Sequence, residues 1–93
     1  MALEDKYLDR MKHAIGLDNK APGNGVYEAY RNCSYYDKPQ VEWEELRLRG
    51  LAKCISSEDK TEFVYSLTRE GLQEVANATG LLIRYTIEVE PRK

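Results

Sequence analysis

The sequence predicts a single α+β domain with three helices, a β-hairpin and a C-terminal strand. Three observations lead to this prediction. Apolar residues recur at helical spacing in three segments, they alternate with polar residues in others, and Thr or Gly stands at the boundaries between them. A chain of 93 residues is long enough for one hydrophobic core but not for two. We therefore expect residues 1–93 to form one domain.

The first helix is predicted over residues 3–15. Most charges of this segment fall on one side of the helix. The apolar residues recur at helical steps on the other side and are Leu3, Tyr7, Leu8, Met11, Ala14 and Ile15. Gly16 follows, where a left-handed helix end favours glycine. Residues 18–25 are rich in Asp, Asn, Pro and Gly, which is typical of a loop. Residues 26–40 fit either a helical turn or a strand, and we expect a short irregular segment that ends at Pro39.

The middle of the chain predicts a helix followed by a β-hairpin. Over residues 41–49 acidic residues come first and basic residues last, as the helix dipole favours, and Gly50 supplies the end of the helix. Its apolar residues are Trp43, Leu46, Leu48 and Leu51. Two extended runs follow, separated by a polar turn at residues 56–60. The second run alternates Phe63, Tyr65 and Leu67 on one side.

Thr68 is predicted to cap a third helix that ends at Gly80. Its buried stripe is predicted to consist of Leu72, Val75, Ala76 and Thr79. Residues 81–90 then alternate strictly, which predicts one strand with a buried face that ends at Pro91. If this strand lies at the outer edge of the sheet formed by the predicted hairpin, its free backbone groups could pair with a second copy of the chain and give a homodimer. A monomer in which the strand covers the core is the alternative.

Charge and composition narrow the class of protein. The net charge is −2, and acidic and basic residues balance along the chain, so no basic block favours DNA binding. No apolar run approaches the roughly 18–20 residues that span a bilayer, and the charged start is unlike a signal peptide, so we expect a cytoplasmic protein. Cys33 and Cys54 lack C-x-x-C spacing and are expected to be free thiols.

The sequence carries none of the common catalytic motifs. It has no G-x-S-x-G, no H-E-x-x-H and no Gly-rich phosphate loop. His13 is the single histidine, and its place near the end of the first helix favours a capping or packing role. We therefore expect a protein that is not an enzyme and that uses no cofactor and no metal ion.

The middle of the chain resembles the winged-helix architecture over residues 41–79. The pattern is a helix ending in Gly-Leu-Ala, a turn, and a strand ending in Tyr-x-Leu-Thr-x-x-Gly-Leu. It is carried by Leu46, Gly50, Leu51, Ala52, Tyr65, Leu67, Thr68, Gly71 and Leu72. The resemblance implies a wing made of the two hairpin strands. It implies little about function, because one fold hosts many functions. The alternating segment after Gly80 is an addition to a minimal winged helix.

A wider set of residues resembles a group of small phage and prophage proteins of unassigned role. The matching residues are His13, Ala14, Gly16, Leu17, Tyr30, Arg31, Asn32, Trp43, Gly50, Leu51, Leu67, Thr68 and Gly71. This resemblance implies a phage or prophage setting more than an activity. Small phage proteins that inhibit or redirect a host machine, including nuclease inhibitors, fit such a description.

Two binding hypotheses follow. In the first, the protein is a protein-interaction module whose contact residues are Tyr30, Arg31, Asn32, Trp43, Arg47 and Arg49, since Tyr and Arg are common at interface hot spots. In the second, it is a winged-helix DNA-binding regulator that uses Arg47, Arg49 and Lys53. The acidic first turn of that helix and the acidic hairpin tip speak against DNA. The competing structural interpretation is a solvated, charge-balanced helix, with tyrosines that close the edge of the core.

Overall fold

The fold combines three helices with two three-stranded sheets, in a computed structural model that describes residues 4–17 and 23–92. The chain order is α1 (Asp5–Ala14), β1 (Val26–Glu28), β2 (Ser34–Tyr36), α2 (Val41–Leu48), β3 (Ala52–Ser56), β4 (Phe63–Leu67), α3 (Arg69–Thr79), β5 (Leu82–Arg84) and β6 (Glu88–Val89). The predicted α+β class is therefore confirmed. The predicted helix start at residue 3 and the loop residues 18–22 lie outside the described residues.

The predicted β-hairpin is present, with β2 added at its side. We call the antiparallel sheet β2–β4–β3 the hairpin sheet. Its tip is closed by side chains: Asp59 accepts hydrogen bonds from the hydroxyls of Ser57 and Thr61, which hold the pKa of its carboxyl below the usual value. Lys60 adopts a left-handed conformation there and donates to Ser56. The turn is thus built from short polar side chains, as its composition predicts.

The predicted helix ends are confirmed at three positions. Gly16 and Gly80 follow α1 and α3 with φ of 79° and 74°, a region that favours glycine. The Thr68 hydroxyl accepts a hydrogen bond from the Gly71 N–H at 3.1 Å. Gly71 itself is needed for a different reason: a Cβ at this position would collide with the carbonyl oxygen of Leu51. The start of α3 therefore lies directly against the start of β3.

The expected irregular segment over residues 26–40 is found only in part: it contains two three-residue strands, β1 and β2, with irregular chain between and after them. Its groups satisfy carbonyls at the end of α1 that have no partner inside the helix. The Tyr27 hydroxyl donates to the Ile15 carbonyl at 2.9 Å, and the Cys33 N–H donates to the Ala14 carbonyl at 3.0 Å. Two short strands are thus tied to the helix that precedes them.

The prediction of one long C-terminal strand is also wrong. Residues 82–89 fold back as a tight antiparallel hairpin, β5 and β6, in which Tyr85 N–H donates to the Ile87 carbonyl. The strands β5 and β6 do not join the sheet β2–β4–β3. Instead β5 pairs with β1 in parallel, which forms the second sheet, β1–β5–β6. Ile83 and Val89 are buried, whereas Tyr85 and Ile87 lie at the turn and are exposed.

Aromatic residues fill the space between α2 and the hairpin sheet. Trp43 stacks on Tyr65 with ring centroids 5.4 Å apart, and Tyr36 meets the same ring edge-on at 5.8 Å. The Trp43 indole N–H donates to the Tyr36 hydroxyl at 3.1 Å. The Tyr65 hydroxyl donates to Glu44 and accepts from the Gln40 N–H. These contacts fix α2 on the inner face of the sheet, within one cluster of buried residues drawn from all three helices and both sheets.

The order of elements differs from a helix-turn-helix. Within the described ranges, β1 and β2 separate α1 from α2, and β3 and β4 separate α2 from α3. One helix therefore lies between β2 and β3, and no two described helices follow each other directly. In the same part of the chain, none of the helices has the length and apolar character needed to cross a bilayer.

The Tyr65 hydroxyl is expected to make the protein less stable as the pH rises into the alkaline range. Burial, followed by the hydrogen bond to Glu44, raises the pKa of Tyr65 from 10.0 to about 12. Above pH 10 the unfolded chain therefore loses this proton first, and the free energy of unfolding falls by on the order of 2–3 kcal/mol as pH rises to about 12. The Tyr65→Phe variant should be less stable than the wild type at neutral pH. Its free energy of unfolding should fall less than that of the wild type between pH 10 and about pH 12. Urea unfolding of both proteins across this range measures the effect, and parallel profiles would contradict the assignment.

Candidate functional site

An apolar row crosses the outer face of the hairpin sheet. Tyr35 on β2 pairs with Val64 on β4, which pairs with Ile55 on β3, so the three side chains lie side by side on one face. Tyr35 is 66% exposed and Ile55 is 69% exposed, with Val64 half-buried between them. We call these three residues the outer row. No described element covers it, whereas the opposite face of the same sheet packs into the core.

A cleft opens beside the outer row at strand β2. It has a volume of about 310 Å³. We call it the β2 cleft, and it is lined by His13, Arg31, Cys33, Ser34, Tyr35 and Tyr36. Tyr35 belongs to both features, so the cleft and the outer row form one continuous surface. The pKa of the Tyr35 hydroxyl is raised, chiefly by a hydrogen bond with the Cys33 side chain and also by nearby Glu62.

Arg31 and Tyr30 are held in place by α1. Arg31 Nη2 donates to the His13 carbonyl at 2.8 Å, and its guanidinium lies 5.4 Å from the centre of the Tyr30 ring. The Tyr30 ring lies directly over Gly16, where any side chain would meet it. Tyr30 is nevertheless largely exposed. Of these two predicted contacts, Arg31 therefore lines the β2 cleft, and Tyr30 lies beside its guanidinium.

Two other predicted contact residues are internal. Trp43 is fully buried, so its prediction as a contact residue is wrong: its apolar ring serves the core that α2 shares with the sheet. The Asn32 amide pairs with the backbone of Leu67, donating to the carbonyl at 3.0 Å and accepting from the N–H at 2.8 Å. Asn32 thus extends the pairing of β2 with β4, and its polar atoms are used within the protein.

The basic residues of the second predicted site are mostly neutralised. Arg47 forms an ion pair with Glu44, and Arg49 forms one with Glu45 at 3.1 Å. Lys53 is exposed on the outer face of the hairpin sheet, two residues from Ile55. The structure therefore does not bring these three cations together as an unpaired basic patch. The outward side of α2 instead carries exposed Val41 and Leu48.

Cations do meet at the start of α3. A cavity of about 300 Å³ is lined there by Arg49, Leu51, Arg69, Glu70, Gln73, Glu74 and Arg92. Its three arginines are accompanied by two glutamates, and Arg49 is also paired with Glu45. Little net charge is left in this cavity for an anionic ligand.

Within residues 4–17 and 23–92, no group of three or more His, Cys, Asp or Glu side chains could hold a metal ion. Cys33 and Cys54 are free thiols. No family model matches the chain, and comparison with curated proteins and with solved structures finds no significant match.

Apart from Arg31, the residues of the outer row and of the β2 cleft were not predicted as contacts from the sequence. The places of Ser34 and Tyr35 depend on the pairing of β2 with β4, which joins residues some 30 positions apart, whereas the place of Ile55 follows from the register of β3 with β4. The alternation in β4 indicates that one face of this strand is buried. Which side chains of the neighbouring strands share its exposed face can be deduced only when the register of the pairing is known. Once β2 is placed, Tyr35 must share a face with Val64.

The hydroxyl of Ser34 offers a test of the β2 cleft. Ser34 is 8% exposed, and its Oγ has no hydrogen-bond partner among residues 4–17 and 23–92. A buried polar group without a partner destabilises the folded state by about 1–3 kcal/mol, so Ser34→Ala should leave stability unchanged or raise it by about 1 kcal/mol. Urea unfolding measures this. The control is Thr68→Ala, which removes the cap of α3 and should lower stability by about 1 kcal/mol. An equal loss in both variants would show that Ser34 has a partner.

Proposed function

We propose that this chain is a non-enzymatic protein-interaction module that binds its partner through the outer row and the adjoining β2 cleft. The observation that carries the proposal is the exposed row of Tyr35, Val64 and Ile55, which crosses all three strands of a sheet whose other face is buried. Contiguous exposed apolar side chains mark interaction sites, and aromatic residues with Arg are common among their anchors. Arg31 lines the adjoining cleft, and the exposed Tyr30 ring lies beside it.

The chemistry of this surface indicates what the partner presents. Arg31 lines the β2 cleft and brings a positive charge to it. Lys53 adds a positive charge beside Ile55, while Glu62 lies near the Tyr35 hydroxyl. A partner that places apolar side chains on the outer row and an acidic group at the cleft would complement the surface in both shape and charge.

The setting of the proposal comes from the two resemblances. The similarity to small phage and prophage proteins supports a module that acts in the host-cell cytoplasm and inhibits or redirects a host protein. A winged-helix-like scaffold is part of the same proposal. It is supported by the hairpin sheet with α2 before it and α3 after it, although one helix rather than two lies between β2 and β3.

The DNA-binding alternative has less support. Its residues Arg47 and Arg49 are paired with glutamates on the same helix, and the hairpin tip carries Glu58 and Asp59. Dense phosphate charge would be repelled by such a surface. A homodimer through the C-terminal strand is also weakly supported, because β6 at the sheet edge has only two residues, Glu88–Val89, and so offers few free backbone groups.

The proposal predicts that one charge on the outer row abolishes partner binding. Ile55→Glu places a carboxylate at the β3 end of the outer row, where partner binding would desolvate it, so retention of a host protein should fall at least about tenfold. The measurement is quantitative capture from host lysate with immobilised wild type and variant. Because Ile55 is 69% exposed, the variant should keep its fold, which circular dichroism verifies.

The matched control is Leu48→Glu, which introduces the same charge on an exposed apolar residue of α2. Leu48 is 84% exposed and lies on the helix that packs against the inner face of the sheet, away from the outer row. A protein retained by wild type and by Leu48→Glu, but not by Ile55→Glu, supports the proposal. Loss with Leu48→Glu alone would assign binding to α2. Equal retention by all three baits, or self-association through the outer row, would overturn the proposal.

A further inference from the structure

Strand β3 lies at the edge of the hairpin sheet and has a free side. The order β2–β4–β3 gives it one neighbour, β4. The opposite edge strand, β2, is tied to α1 through the Cys33 N–H. With five residues, β3 is also the longest described strand at a sheet edge. A long edge with free backbone groups can pair with another strand, and natural proteins usually shorten or cover such edges.

The residues of β3 alternate between the side of β4 and the free side. The Leu51 carbonyl accepts from the Thr68 N–H at 3.1 Å, and the Ser57 N–H donates to the Glu62 carbonyl at 3.0 Å. The backbone groups of Leu51 and Ser57 therefore face β4 from either end of the strand. Since hydrogen-bonded and non-hydrogen-bonded positions alternate along an antiparallel pair, odd-numbered residues of β3 face β4 and even-numbered residues face outward.

Cys54 and Ser56 carry the free backbone groups. Within the described residues, the backbone of neither has a hydrogen-bond partner. Both residues are half-buried, whereas Ala52, the remaining outward residue, is 6% exposed. The free edge thus offers two N–H donors and two carbonyl acceptors at the spacing of a β-ladder. Another extended strand is the group that matches this pattern.

A second copy of β3 fits this edge. Closed dimers have a two-fold axis, which makes two copies of one edge strand antiparallel. With the axis at Ile55, Cys54 of each copy would lie opposite Ser56 of the other, and these two pairs would form four hydrogen bonds. Ile55 would lie opposite its own copy in a non-hydrogen-bonded pair, where side chains are closest. Ile55 is 69% exposed in the single chain, so this contact would bury apolar surface.

Charges on the outer face favour the same register. Lys53 precedes Ile55 by two residues and would lie opposite Ser57 of the second copy. Glu62 is bonded to Ser57 within one chain and lies on the outer face, where it acts on the Tyr35 hydroxyl. Lys53 of one copy and Glu62 of the other would therefore lie two strands, about 10 Å, apart on one face. Two long side chains of opposite charge can meet across this distance.

The other symmetric registers are less favourable. An axis at Lys53 would place two ammonium groups opposite each other, and like charges in directly opposed positions are destabilising. An axis at Cys54 would place Lys53 opposite Ile55. An axis at Ser56 would place Ile55 opposite Ser57. The axis at Ile55 therefore combines the free backbone groups, the apolar contact and the opposite charges.

We propose that the protein forms a homodimer in which two β3 strands pair antiparallel about a two-fold axis at Ile55. The two hairpin sheets then form one six-stranded sheet. The dimer joins the sheets edge to edge, so the faces that carry the outer rows do not cover each other. The two outer rows adjoin as one apolar row across the dimer. This goes beyond the proposed function, which concerns the face of the sheet and not its edge.

The first test removes one donor from the free edge. Ser56→Pro deletes an N–H that β4 does not use, and proline is tolerated at such edge positions. Sedimentation equilibrium should show a dimer for the wild type and a dissociation constant at least about tenfold higher for Ser56→Pro, because two hydrogen bonds are lost per dimer. The matched control is Ser56→Ala, which keeps the N–H and should dimerise like the wild type. A wild type that stays monomeric up to about 1 mM, or equal dimerisation of the two variants, would overturn the proposal.

The second test reverses charges and needs no proline. Lys53→Glu should weaken the dimer about tenfold, because two attractive contacts become repulsive. The double variant Lys53→Glu/Glu62→Lys exchanges the charges and should restore the wild-type dissociation constant. Both residues are exposed, so both variants should keep the fold, which circular dichroism verifies. A double variant that dimerises as weakly as Lys53→Glu would contradict the proposed register.

The outcome is distinguishable from that of the proposed function. Ser56→Pro leaves the outer row of each chain unchanged, so as a bait it reports partner binding without the dimer. If Ser56→Pro is monomeric and retains the host protein that Ile55→Glu loses, both proposals stand. If the wild type is monomeric and Ile55→Glu loses the partner, the dimer fails and the proposed function stands. If the wild type dimerises as expected but Ile55→Glu retains every partner, the dimer stands and the proposed function fails.

Discussion

The Tyr65 side chain is the contact on which the rest of the structure depends. Its ring stacks on Trp43 and meets Tyr36, and its hydroxyl links Glu44 with the backbone of Gln40. One residue of β4 therefore joins β2 to both the start and the middle of α2. Because these contacts close the inner face of the hairpin sheet, the alternation along the strands turns Tyr35 and its neighbours toward solvent. The candidate surface is the geometric consequence of this packing.

The end of α1 supplies the second constraint. Helices leave their last carbonyls without intrahelical partners, and here the His13, Ala14 and Ile15 carbonyls accept from Arg31, Cys33 and Tyr27, respectively. The same hydrogen bonds that satisfy the helix end also place β1 in the second sheet and β2 in the hairpin sheet. The bond from Arg31 also holds its guanidinium beside α1, where the residue lines the β2 cleft. The end of the helix thus positions one side of the candidate site.

Local signals in the sequence predicted the elements whose boundaries are local. The helix ends at Gly16 and Gly80, the Thr68 cap and the hairpin turn depend on residues a few positions apart, so they could be predicted. The strands β1 and β2 could not, because each has three residues and is defined by a distant partner, such as Leu82 or Tyr65. The alternating residues 81–90 were predicted as one strand for the same reason, because alternation does not show where a strand folds back.

The candidate site was only partly predictable. Arg31 was identified from composition and lines the cleft, with Tyr30 beside it. Composition could not distinguish Trp43, which is buried, from Leu48, which is exposed. Both are apolar residues of one short helix, and which of them faces the sheet depends on where Tyr65 lies. The Ser34 hydroxyl, which has no hydrogen-bond partner among the described residues, is recognised only in three dimensions, because a missing partner has no sequence pattern.

Solvent accessibility of the two sheet faces tests the account most directly. A soluble paramagnetic agent broadens NMR signals in proportion to their exposure. We predict strong broadening for the Ile55 methyl groups and the Tyr35 ring, and little for the Trp43 indole N–H and the Ile83 methyl groups. Protection of Ile55 equal to that of Ile83, or strong broadening of the Trp43 indole, would contradict the claim that α2 closes the inner face and leaves the outer row uncovered.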